Sequence, residues 1–195
     1  MALFKRFRQN AVHFAMPEKR TEWEWMFLMQ HYGVPTRLLD WTETPLIGLY
    51  FAVADDSTKN ENSALWCIAP AALNSMANIQ PEVELNFPFF DVDDVLDNYT
   101  PSKMASETMT RLQPAAAIAA RNSPRLFAQR GVFTISHRVE TPIEKLGEKA
   151  HVWRYIIEPD SKEEIQEELQ LLKIDRLSLF PELPNVAATT TEGIV

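Results

Sequence analysis

The chain has 195 residues, 46% of them apolar and 24% charged, which suits one globular domain with its own core. A net charge of -8 excludes broad electrostatic binding to nucleic-acid phosphates, and a single cysteine, Cys67, excludes an internal disulfide or a thiolate-rich metal site. No apolar run approaches the ~20 residues of a membrane-spanning helix, and the start lacks the long apolar stretch of an export signal, so the expected compartment is cytoplasmic.

In chain order, residues 21–32 read as a helix. Thr21 and Glu24 have capping-box spacing, and Trp25, Leu28, Met29 and Tyr32 share a face. Gly33 suits a helix C-terminal cap, and Pro35 stops continuation. An extended segment follows over 37–41. Thr42 or Thr44 then caps a second helix with Pro45 in its first turn and a buried stripe of Leu46, Leu49, Tyr50 and Val53. The apolar run 64–69 has strand length, which completes a strand-helix-strand unit.

Residues 78–113, rich in proline and acids, read as loop with short helical turns. Residues 114–120 and 123–129 read as helical, and 132–136 and 152–157 alternate like strands, with Gly131 separating helix from strand. Asp160 or Ser161 caps a charged helix to about residue 172, and Asp175 caps a last turn. The end of the chain lacks periodicity, so residues 1–186 are expected to form the domain and 187–195 a flexible tail.

Candidate chemistry concentrates over 30–42, where Gln30, His31, Thr36, Arg37, Asp40 and Thr42 are interleaved with Gly33, Pro35 and Trp41. Gln30 and His31 either cap carbonyls at the helix end or hydrogen-bond a ligand, with His31 also suited to acid–base work. Arg37 and Asp40, three apart on an extended segment, point to opposite faces. They belong either to a buried structural network or to a grip in which Arg37 holds a phosphate or carboxylate and Asp40 orients it or a ribose hydroxyl.

Trp41 either packs or stacks on a ligand ring, Thr42 either caps or touches ligand, and Tyr50 sits on the packed stripe as a further candidate contact. Arg121, Arg125 and Arg130 gather positive charge beside Gln129, as a solvated face or, with Arg37, as a phosphate pocket. The histidines lack metal-ligand spacing, so no metal is expected, and five glycines form no phosphate-cradling loop.

Residues 30–52 closely resemble the FRG domain family of bacterial and phage proteins. Its members carry a helix ending in Gln-His-X-Gly, then Pro-Thr-Arg-Leu-Leu-Asp-Trp-Thr, then a helix ending in Leu-Tyr-Phe-Ala. The segments 121–125, 129–134 and 179–181 extend the resemblance over 1–186. The family's upstream aromatic-Arg-Gly motif has no counterpart here, because Gln9 follows Phe7 and Arg8 where the glycine would stand. On this resemblance the domain is N-terminally incomplete.

The order of FRG motifs is more distantly similar to ADP-ribosyltransferases of the Arg-Ser-Glu type. That similarity implies an α+β fold, a small bent mixed sheet flanked by helices with an ADP-ribosyltransferase-like core, and NAD or a related nucleotide as cofactor. Taken with the residue chemistry above, His31, Asp40 and Gln129 are the expected catalytic positions, and Gln30, Thr36, Arg37, Trp41, Thr42, Tyr50, Arg121 and Arg125 the expected ligand contacts in a polar cleft. Thr42 aligns with the hydroxyl beside the nicotinamide ribose and Gln129 with the catalytic acid, whose charge a glutamine cannot carry. The implied partners are a nucleotide or small molecule and a protein acceptor, without extended nucleic-acid binding or a membrane, in a toxin or antiphage effector. The alternative is a non-catalytic ligand-sensing or protein-interaction module using the same cleft.

Overall fold

The computed structural model describes residues 1–14, 20–79, 87–138, 141–148 and 150–191. Among them the helices are α1 (Ala2–Ala11), α2 (Glu22–His31), α3 (Pro45–Val53), α4 (Pro70–Met76), α5 (Pro101–Ser106), α6 (Pro124–Ala128), α7 (Lys162–Leu171), α8 (Arg176–Leu179) and α9 (Leu183–Thr191). The strands are β1 (Leu38–Thr42), β2 (Ser63–Ile68), β3 (Ala115–Ala117), β4 (Gly131–Ile135) and β5 (Val152–Ile157). The class is α+β, as expected. The strands divide between two small sheets, one in the order β1-β4-β3 and the other pairing β2 with β5.

The chain forms two compact units. The first holds Met1–Asp40, Pro70–Ala119 and Phe133–Gly147, and the second Trp41–Ala69, Ala120–Val132 and Glu148–Val195.

In the first unit α2 starts as its sequence dictates: Thr21 Oγ1 accepts from Glu24 N at 3.1 Å, and the Glu24 carboxylate accepts from Thr21 N at 2.8 Å. It ends at Gly33, whose φ of +69° lets its N–H reach the Gln30 carbonyl while Val34 N–H reaches that of Met29. The buried face carries Trp23, Trp25, Met26 and Met29, and Tyr32 stands 69% exposed instead of joining it. Trp23 and Phe27 meet Phe90 at ring distances of 4.8 and 5.3 Å, and Phe27 meets Phe133 of β4 at 5.0 Å.

Residues 114–120 differ from their helical expectation, since Ala115–Ala117 form β3, antiparallel to β4 with Ala116 opposite Thr134. Alanine favours helix in isolation, but each of these alanines is buried, and pairing with β4 and packing against α4 override that preference. On the edge of β3, Asn74 takes the place of another strand. Its amide donates to the Ala116 carbonyl at 2.9 Å and accepts from Ala116 N–H at 2.7 Å, while Ile118 pairs with the segment at Phe89.

The second unit is built on β2 and β5, antiparallel from Ser63↔Ile157 to Ile68↔Val152. Val53, Ile157 and Leu169 form its buried cluster, with Leu49, Tyr50, Leu65 and Ile165 packed around them. Expected as neighbours in one strand-helix-strand unit, β1 and β2 lie in different sheets because β2 finds its partner in β5. Gly131 begins β4 where a Cβ would meet Leu126 Cδ1 at 2.2 Å. Asp175 caps α8 in a capping box with Ser178. The stretch expected to be loose continues as α9 to Thr191, in which the Thr189 and Thr190 hydroxyls donate back to the carbonyls of Asn185 and Val186. Its last four residues, 192–195, lie outside the described residues.

Two substitutions test these local arguments by urea unfolding. Gly33→Ala, forced into a positive φ, should cost about 1 kcal/mol. Asn74→Leu should cost about 3 kcal/mol, because it strips both hydrogen bonds from a buried backbone unit.

Candidate functional site

The cap of α2 and the start of β1 place a connected set of polar side chains in the first unit. Gln30, in the last turn of α2, donates through Nε2 to Asp40 Oδ2 at 2.9 Å and accepts through Oε1 from Thr36 Oγ1 at 2.6 Å. Thr36 Oγ1 in turn accepts from Leu38 N–H at 3.0 Å, which ties the side-chain chain to the first residue of β1. Asp40 is exposed, so Gln30 holds one carboxylate oxygen while the group still faces solvent. His31 is exposed next in sequence to Gln30, its ring 4.9 Å from that of Tyr32 in an edge-to-face pair.

Arg37 leaves this set and turns inward, consistent with the opposite faces expected for Arg37 and Asp40. Its Nη1 donates to the Ser136 carbonyl at 2.6 Å, and its Nη2 to the Tyr99 carbonyl. Burial foremost, then the Arg138 guanidinium, lowers its pKa to about 10, with Glu22 opposing the shift. Arg37 remains charged at neutral pH.

The remaining candidates lie in the second unit. Thr42 Oγ1 donates to the Gln129 carbonyl at 2.8 Å and accepts from Thr44 N–H at 3.1 Å, a capping role for the helix that starts at Pro45. The Gln129 amide donates to the Leu179 carbonyl at 3.0 Å. Arg121 is paired with Glu43, Arg125 lies 4.8 Å over the Phe180 ring, and Arg130, with φ +49°, covers Phe127 at 5.6 Å. Tyr50 packs with the buried cluster and meets Phe51 edge-on at 5.6 Å, and burial raises its pKa. Trp41 is half-buried.

Gln30, Thr36 and Asp40 are thus joined in one hydrogen-bonded set with His31 beside them in sequence. Arg121 and Arg125 have charge and ring partners of their own. Sequence reasoning placed Tyr32 on the packed face and overlooked Arg138. Tyr32 precedes the cap glycine, the point at which a helix stops holding its side chains to one face. Arg138 carries no local signal, because its setting comes from Arg37, about a hundred residues away in sequence.

Among the described residues no three His, Cys, Asp or Glu side chains are arranged to hold a metal ion, and no helix is long and apolar enough to cross a membrane. The fold and the site together define an α+β chain with its polar set at a helix end and strand start. Residues 1–61 match the family model of the FRG domain, and this match takes in the whole run from Gln30 to Ala52 and supports the FRG assignment. Comparison with curated proteins gives no match, and neither does comparison with solved structures.

Gln129→Glu tests the hydrogen bond from the Gln129 amide to the Leu179 carbonyl. A carboxylate would face the Leu179 carbonyl, so stability should fall by about 1–3 kcal/mol at neutral pH. Folding raises the pKa of this new carboxyl, so the deficit is full above that pKa and shrinks as pH falls towards ~4, where the protonated group donates as the amide did. Urea unfolding at two pH values reads both effects.

Proposed function

We propose that this FRG-domain chain binds a nicotinamide-type nucleotide at the surface made by Gln30, His31 and Asp40, and that it acts by binding rather than by transferring ADP-ribose. The observation that carries the reading is the hold of Gln30 on Asp40. One carboxylate oxygen is fixed by the amide and by Thr36 behind it, so the exposed group is oriented in advance to accept hydrogen bonds from the vicinal hydroxyls of a ribose. His31 and Tyr32 supply exposed rings against which a base or nicotinamide can lie.

The nucleotide would bring the reactive glycosidic bond, and the protein would bring orientation. Transfer chemistry has less support, because on the resemblance to ADP-ribosyltransferases Gln129 would replace the acid, and its amide is committed to the Leu179 carbonyl. Arg37, read from sequence as either a network residue or a phosphate grip, spends its guanidinium on two carbonyls.

Calorimetric titration of the full chain with NAD should show saturable binding that Asp40→Asn weakens about tenfold or more, the loss expected for charge-assisted hydrogen bonds of ~1.5–3 kcal/mol. Incubation with labelled NAD should give neither label transfer nor NAD loss. Transfer of label would replace the binding role with catalysis, and no heat of NAD binding in the wild-type chain would end the proposal.

A further inference from the structure

The first unit contains a cavity of about 340 Å³ between α1, α2, α5 and the segment leading into β1. Phe4, Met26, Met29 and Met104 give it an apolar wall, and Arg37 and Arg138 lie at its polar end. Phe4, Met26 and Met29 are each at most 7% exposed. Methionine walls are deformable and suit a flexible aliphatic body better than a rigid ring.

The polar end is short of negative charge. Arg138 donates to the Met104 carbonyl, yet its Nε is buried with no hydrogen-bond partner among the described residues. The carboxylate that acts on Arg37 is Glu22, which already accepts from Ser102 N–H at 2.8 Å. His137 nearby accepts through Nδ1 from Leu112 N–H at 3.4 Å, and burial with the two guanidinium groups favours its neutral form. Like charges at one end of an apolar space, one with an unused buried donor, cost free energy that an anion would relieve.

We infer that this cavity is a binding site for an amphipathic anion, a carboxylate head with an unbranched aliphatic body, with Arg138 taking the head beside Arg37. At ~30 Å³ per non-hydrogen atom the space holds roughly ten such atoms, the size of a medium-chain carboxylate and far below that of a dinucleotide. The cavity is therefore too small for the nucleotide proposed at Asp40, and it adjoins that surface through Thr36, which lines it and bonds Gln30.

Thermal-shift and calorimetric titrations of the full chain use octanoate, octanol and inorganic phosphate as probes. Octanoate should raise the melting temperature saturably, octanol should bind at least tenfold more weakly, and phosphate should give no shift. Arg138→Gln should weaken octanoate at least tenfold while leaving NAD binding unchanged. Because Arg138 also holds a carbonyl, Met104→Trp provides a second variant that fills the cavity with both arginines kept, and it should abolish octanoate binding in a chain whose circular dichroism is native. Equal binding of octanol and octanoate would show unselective apolar adsorption and overturn the inference. So would undiminished octanoate binding in the folded Met104→Trp chain.

Discussion

The guanidinium of Arg37 is the constraint on which the first unit depends. From the residue just before β1 it reaches the carbonyl of Tyr99, at the end of the 3-10 helix Asp94–Tyr99, and that of Ser136, just past β4. The Ser136 N–H returns to the Arg37 carbonyl at 3.0 Å, so backbone and side chain of one residue fasten the same point. Cation-to-carbonyl bonds are stronger than neutral ones, and breaking them would strand two half-buried acceptors. With Arg37 turned inward, strand alternation delivers Asp40 to the opposite side and to Gln30.

Much of this was legible from local grammar. The capping box at Thr21, the cap at Gly33, β4 after Gly131 and β5 over Val152–Ile157 all follow from residues within a few positions of each other. The failures share a cause. The run Ala115–Ala117 carries helix propensity, and its strand state depends on Asn74 and β4, which no local window contains. Two strands flanking one helix suggested a single sheet until β2 paired with a strand some ninety residues later. The candidate site behaved likewise: Gln30, Thr36 and Asp40 lie within eleven residues, so their nearness was readable though their hydrogen bonds were not, and the setting of Arg138 was not readable at all.

Positive charge is used differently in the second unit. Arg121 has a carboxylate, and Arg125 and Arg130 lie over aromatic rings, so each cation is matched by a partner in its own unit. In an acidic chain, clustered arginines suggest an anion receptor, yet these three contribute packing and pairing. Among the described residues the buried donors without a partner sit elsewhere, on the Nε atoms of Arg20 and Arg138.

Asn74 has a consequence beyond stability. A strand of three alanines is narrow, flat and free of bulky side chains, and were its edge uncovered a foreign strand could add to it. By occupying both backbone valences of Ala116, the Asn74 amide leaves no template there, and the bridge at Phe89 covers the next step. One side chain thus guards the chain against recruitment into intermolecular sheets, and its loss would register as aggregation during folding before any ligand was involved.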